Sequence, residues 1–416
     1  MLTWLKISFR NLLQNKRRSL ATIGAIAFGF AAINLLGGFT DYIFKGLEDS
    51  YIYTQSNGHL SVFKKDFLVK GSLDPGRFLL SEQELKTIIT LCQREPEVVL
   101  STPQLNISGL LSNGSISTIM MAVGKDPAAC NRIRNRGRGF TSQLKLYKGT
   151  HFSDDAFAEA GISNGLARKL GLSLGSEIVI MTSTVDGFMN AMDANVIMTF
   201  NAAIEVLDNL CTSIPLSFAQ SLYDTKGADR VNILLKNNRH TALTQKHLQT
   251  TFSANGLATE ILTWEELQPS YLRIKNMFNV IFSFVFFIVM VIVVLSVINT
   301  ISMAVVERTR ETGTLRALGL KRSGVIKIFA LESAMLAGIG SFVGLLLTIL
   351  GWAMVVYFKP TWIPPTIPTK VPLEIHLVPG FLIFTTISMI VLATGAAIIS
   401  ARRASQMSII DALGHI

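Results

Sequence analysis

Four strongly apolar stretches of this 416-residue chain carry no charged side chain: Ser19–Thr40, Asn276–Val306, Ser333–Phe358 and Leu377–Ala401. A helix needs about 20 apolar residues to cross a hydrocarbon core, so each stretch is long enough to be a transmembrane span. Backbone polar groups in lipid must be satisfied within the segment, and the helix does that for an isolated run. A chain that is 49% hydrophobic and only 16% charged is too apolar for a soluble protein of this length.

The distribution of charge sets the topology. Between Asp41 and Lys275 there are 23 basic and 23 acidic side chains, so the formal net charge of +10 lies in the pieces that flank the apolar runs. Met1–Arg18 holds Lys6, Arg10, Lys16, Arg17 and Arg18 and no acid, and Glu307–Glu332 holds six basic residues against three acidic. Arg402 and Arg403 follow the last run directly. By the positive-inside rule these three pieces are cytoplasmic, which puts both termini inside and Asp41–Lys275 outside. The basic balance then reports orientation, so no nucleic-acid partner is expected. The first apolar run has 22 residues, beyond the roughly 7–15 of a signal-peptide core, and reads as a retained anchor.

The fold class expected is therefore a membrane protein with four transmembrane helices and a large mixed α+β extracytoplasmic domain between the first and second. A cytoplasmic amphipathic helix over 1–18, with Leu2, Leu5, Phe9, Leu12 and Leu13 on one face, leads into a span over 19–40. The outer domain covers 41–275. The run 276–306 would be about 46 Å long as one helix, well beyond a ~30 Å core, so it reads as a span with an outward stalk. A cytoplasmic helix and loop follow over 307–332, then a span over 333–358. A proline-stiffened outer loop over 359–376, a span over 377–401 and a cytoplasmic tail over 402–416 complete the chain.

Strand-like alternation in the outer domain marks Gly58–Phe63, Ile116–Val123, Glu177–Met181, Val196–Val206 and Arg230–Leu235. Helical patterns mark Ser81–Arg94, where Ser81 and Glu84 form a capping box, and Asn164–Leu170, Leu216–Tyr223 and Leu243–Asn255. A domain of this size can bury its own core and can divide into two lobes. Cys92, Cys130 and Cys211 read as free cysteines. Arg132, Arg134, Arg136 and Arg138 read either as a solvated loop or as a contact for an acidic partner or lipid head groups.

Motifs for chemistry are few. The sequence has no phosphate-binding P-loop, so an ATP-driven role would need a separate subunit. Gly161-Ile-Ser-Asn-Gly165 matches a nucleophile elbow, but Asp154–Glu159 is a poor strand to precede it and no histidine is placed as a partner for Ser163. The six histidines show no metal-ligand spacing, so neither a metal nor a bound cofactor is expected. Gly340 and Gly344 form a Gly-x-x-x-Gly face for close helix packing, within this chain or against a second copy. Glu307–Leu318 starts with an acid and ends at Gly319, with Lys321 and Arg322 beyond, as a short capped helix between two spans requires.

Several of these segments together resemble the FtsX-like permease domain of ABC transporters. They are Asn299–Met303, Glu307–Glu311, Gly313, Leu315–Gly319 and Phe329-x-x-Glu332-Ser-x-x-Leu336. Trp4–Leu13, Asn15–Leu20, Ala401–Ser405 and Asp411–Leu413 look like that family's two ends, and Ser163–Gly175 and Thr263–Leu267 resemble its extracytoplasmic core. The resemblance implies that the chain is no enzyme by itself, and that ATP and Mg are held by a partner ABC ATPase subunit. It further implies that Glu307, Arg308, Arg310, Glu311, Gly313, Arg316, Ala317 and Gly319 couple that ATPase to the membrane, and that a stalk around Tyr271–Phe287 carries movement outward. A second permease copy or paralogue is implied as well, in a bacterial inner membrane. The overall layout is most similar to the lipoprotein-releasing type, with a lipoprotein or a periplasmic carrier as further partners. An efflux permease with a periplasmic adaptor, or a regulator of a cell-wall hydrolase, are the alternatives.

Overall fold

A computed structural model of the chain describes residues 10, 16–71, 73–137, 147–202, 205–362 and 370–405. Most of the expected helix over 1–18, Arg138, and residues 363–369 of the proline-rich loop lie outside the described residues. The chain divides into two compact units: Met1–Phe44, Ile274–Thr361 and Pro372–Ile416 form one, and Lys45–Arg273 with Trp362–Val371 the other.

The first unit is helical, and its helices are labelled α1 (Lys16–Asp49), α2 (Pro269–Glu307), α3 (Thr309–Ala317), α4 (Arg322–Phe358) and α5 (Pro379–Ser405). Four of them, all but α3, are long and apolar enough to cross a membrane. Their packed seam runs from Ile26 and Phe30 on α1 through Val293 and Val297 on α2 to Phe329 on α4 and Ala393, Ala397 and Ala401 on α5. Small residues dominate α5 and the contact face of α4, because between helices in lipid close backbone approach replaces the hydrophobic effect. The outward face of α2 instead shows Phe284, Phe287, Ile292 and Leu295.

Helix ends depart from the sequence expectation in several places, among them these three. α1 continues past Thr40 to Asp49 and then into a π-helical turn over Ser50–Thr54. α4 begins at Arg322, so residues 322–332 are its first turns and not part of a loop. α3 begins at Thr309, because Glu307 is the last residue of α2. In each case a charged or polar residue continues a helix whose apolar part is in the membrane-like core, and charge alone gives no stop signal.

The second unit is built on one ten-stranded sheet. Its strands are β1 (Leu60–Lys64), β2 (Val98–Ser112), β3 (Ser117–Lys125), β4 (Tyr147–Gly149), β5 (Glu159–Ser163), β6 (Glu177–Ser183), β7 (Met189–Phe200), β8 (Cys211–Pro215), β9 (Arg230–Leu235) and β10 (Thr259–Thr263). The order is β10-β1-β9-β2-β3-β8-β5-β7-β4, with β6 paired to both β2 and β7. Two apolar clusters flank it. One holds Leu60, Ile88, Ile233 and Phe252 under the helices Glu82–Gln93 and Thr241–Ala254. The other holds Leu105, Ile162, Ile180 and Phe218 under Asn164–Leu170 and Leu216–Tyr223. β2 bridges them: its first half pairs with β9 and its second half with β3. The strand expected over Val196–Val206 ends at Phe200, and Glu205–Asp208 forms a helical turn.

The β10 edge is closed by glutamines. Gln249 donates to Thr259 O at 2.9 Å and accepts from Ile261 N at 3.2 Å, while Gln245 donates to Ile261 O at 2.8 Å. Side chains of one helix thus stand in for a neighbouring strand, which protects an edge from pairing with other chains.

Candidate coupling site

α2 and α3 are separated by a single residue. Arg308 has φ −107° and ψ 18°, outside regular helix; its N–H closes the last turn of α2 on Ala304 O at 3.1 Å, and its carbonyl accepts the Thr312 N–H at 2.9 Å. The Thr309 hydroxyl donates back to Val305 O at 2.9 Å. At its other end α3 closes in a Schellman motif: Leu320 N–H reaches Leu315 O at 3.0 Å and Gly319 N–H reaches Arg316 O at 3.0 Å, with Gly319 at φ +100°. The left-handed cap is why glycine stands at this position.

These ends fix which residues α3 presents. Thr309 and Gly313, one turn apart, are buried, whereas Arg310, Glu311, Leu315, Ala317 and Leu318 are exposed and Arg316 is half-buried. Leu318 is 81% and Leu315 45% exposed. The eight residues expected to couple therefore divide. Arg310, Glu311, Arg316, Ala317 and Gly319 lie on or beside the open face, and Gly313 is on the buried one. Glu307 belongs to α2 and pairs with Arg18 of α1 at 2.7 Å, a half-exposed ion pair worth about 0–1 kcal/mol. Arg308 points inward.

Its guanidinium meets Glu332 of α4, Nη1 to Oε2 at 3.3 Å, with the two side chains 9% and 5% exposed. Glu332 was not among the residues singled out for coupling. A lone acid between Leu331 and Ser333, inside an apolar helix, was the signal available in the sequence. Next to it the Ser333 hydroxyl donates to Ala393 O of α5 at 2.8 Å. Further along α4, Gly340 and Gly344 face Ile26 and Phe30 of α1. The Gly-x-x-x-Gly face thus packs inside this chain.

In the sheet unit, Ser163 does have a strand before it and a helix after it. The Ser163 side chain, however, is fully buried, and its hydroxyl donates to Asp208 O at 2.7 Å. Asp208 also accepts the Gly165 N–H at 2.7 Å, capping the helix. A nucleophile elbow needs an exposed hydroxyl, so this geometry is structural. Cys92, Cys130 and Cys211 are free, and burial pushes the Cys92 thiol up to about 12. Arg132 and Arg136 are exposed and Arg134 is half-buried. Lys125 ties the segment after the π-helical turn to β3: its ammonium donates to Gln55 O at 2.6 Å, Asn57 Oδ1 at 2.7 Å and Ser56 O at 3.4 Å, and burial lowers it to about 8. No cluster of metal-binding side chains occurs among the described residues.

Residues 283–409, which contain the whole of α3 and its contacts with α4, match the FtsX-like permease C-terminal family. This carboxyl-terminal third of the chain is similar to FtsX-like permeases. The chain is 23% identical over 368 residues to the macrolide export ATP-binding/permease protein MacB of Sodalis glossinidius, covering 84% of this chain and 52% of that protein. It thus spans about half the length of that relative. An ABC transporter permease of Methanocaldococcus jannaschii is 31% identical over 90 residues, 22% of this chain and 23% of that one. Among solved structures, the periplasmic region of MacB from Actinobacillus actinomycetemcomitans matches at a TM-score of 0.38 and 12% identity, covering 51% of this chain and 92% of that one. Four long apolar helices together with a separate α/β unit fit a membrane protein that carries a large domain between its first two spans.

Proposed function

We propose that this chain is the permease subunit of an ABC transporter in a bacterial inner membrane, with both termini cytoplasmic. ATP hydrolysis by a separate ABC ATPase subunit drives it, and a second permease copy or paralogue completes it. It extracts or exports lipoprotein or lipid-like cargo at the outer side of the membrane, by transmitting movement through the bilayer. One observation carries this reading: α3 is a short, capped helix set between two spans, with a mixed charged and apolar face left open and its other face fixed to the bundle. A helix so held presents a ready-made surface for a moving partner. On this reading Glu307 and Arg308 serve the helix from within, while Arg310, Glu311, Arg316 and the leucines between them meet the ATPase.

A second reading, an efflux permease working with a periplasmic adaptor, is favoured by the similarity to a protein named for macrolide export. Purification of the chain from its own cells, with mass spectrometry of everything retained, separates the two. An ATPase with lipid-modified proteins supports release, an ATPase with an adaptor supports efflux, and no ATPase refutes both. Glu311→Ala with Arg316→Ala should keep insertion and abolish stimulation of ATP hydrolysis; unchanged stimulation would refute the docking role.

A further inference from the structure

We infer that Arg308 and Glu332 form a positioning pair that fixes the docking helix α3 to α4, and that this contact sets the angle at which α3 is presented. The inference rests on the proposed coupling function for its purpose, but its geometry stands separately. α3 follows α2 in the chain, and yet Arg308 interrupts the helix between them. The interruption lets α3 take a direction independent of α2. A contact outside α2 must then define that direction, and Arg308 supplies one by reaching 24 residues along the chain to Glu332.

The pair sits close to points where α4 is fastened to its neighbours. Ser333, the next residue, is bonded to α5, and two turns further Gly340 has α1 against its backbone. A shift of α3 would pass through Glu332 into the helix that touches both α5 and α1. A guanidinium and a carboxylate suit this task, because a buried charged pair is directional while apolar packing is not. Such pairs contribute little net stability compared with well-packed apolar residues of similar volume, which makes a positioning role separable from a folding role. Arg308 and Glu332 are positioning residues: neither needs to touch a partner subunit.

The test uses the full chain in nanodiscs, with Cys92, Cys130 and Cys211 replaced by alanine and spin labels at Leu315→Cys and Ile399→Cys, both exposed positions on α3 and α5. Wild type should give a single narrow distance distribution between the labels. Glu332→Gln should broaden it, and so should the double variant Arg308→Met with Glu332→Leu, which is expected to melt no lower than wild type. With the ATPase recovered from its own cells, the double variant should retain binding but lose about fivefold or more in stimulated hydrolysis. A narrow distribution in both variants would overturn the inference, as would a double variant with full stimulation. If wild type shows no ATPase response at all, the coupling function fails, and the label distances still decide the positioning role.

Discussion

Gly344 on α4 lies against Phe30 on α1 with no room for a side chain. A Cβ placed there would stand 2.7 Å from the Phe30 Cβ and 2.9 Å from the Ala27 carbonyl oxygen, and at Gly340 it would meet Ile26 at 2.7 Å. Two backbones that approach this closely gain packing that any larger residue removes. Gly344→Leu and Gly340→Leu should each destabilise the bundle by about 1–3 kcal/mol, read as a lower melting temperature in detergent. Gly338 supplies the control, since a Cβ there meets nothing within 4 Å. Gly338→Ala should melt no lower than wild type, and a loss at Gly338 equal to that at Gly344 would refute the α1–α4 contact.

Two buried groups in the sheet unit give opposing pH dependence. Burial lowers His59 to about 4; its Nδ1 accepts the Leu235 N–H at 3.1 Å, which requires the neutral ring. The unfolded chain then takes up this proton first, so stability is full above about pH 6.5 and is lost as pH falls toward 4, by about 3 kcal/mol. Asp229 is raised to about 6, chiefly by burial, although it accepts the Asn106 N–H at 2.8 Å. Here the folded state binds the proton first, so stability falls as pH rises from about 4 to 6. The two slopes offset in wild type. His59→Gln should leave a unit that becomes more stable on acidification from pH 6 to 4, and Asp229→Asn one that becomes less stable. Hydrogen exchange of the Arg230–Leu235 strand in the full chain would read both slopes; identical slopes in the two variants would refute the assignment.

Local patterns that complete themselves within a few residues were legible in the sequence. Arg230–Leu235, Asn164–Leu170 and Leu216–Tyr223 have the ends expected of them, as do the Ser81–Glu84 capping box and the Gly319 cap. β2 was not legible, because Pro103, Asn106 and Gly109 interrupt its alternation and its two halves answer to different neighbours. β5 was hidden behind an acid-rich stretch, although its five residues are mostly buried. In the long helices every face is apolar, so periodicity does not reveal the packed side and only small residues mark it. The Arg308–Glu332 pair was beyond reach for a different reason: its register depends on a helix break whose direction no local pattern encodes.

Ser163→Ala isolates a structural hydroxyl. The side chain is buried against the Asp208 carbonyl, and its loss removes one hydrogen bond at a cost of about 1 kcal/mol. Stability of the sheet unit should fall by that amount, while ATP-driven output from the full assembly should match wild type. Loss of output with the fold intact would restore a catalytic role to Ser163.

Gly319→Ala tests whether the end of α3 matters as well as its face. The residue sits at φ +100°, and a Cβ there meets no atom within 4 Å, so the penalty is one of backbone conformation alone, about 1 kcal/mol. The Schellman bonds from Gly319 and Leu320 to Arg316 and Leu315 should loosen, and their amides should exchange faster than in wild type. Leu318, the most exposed apolar side chain of the segment, would then lose its fixed place at the rim of the docking face. Stimulated ATP hydrolysis should fall while purification yield stays constant. Gly319→Asn should retain more activity than Gly319→Ala, because asparagine tolerates the left-handed region better. Equal activity for the two variants would mean that the cap is dispensable and that α3 is held by its other end, at Arg308.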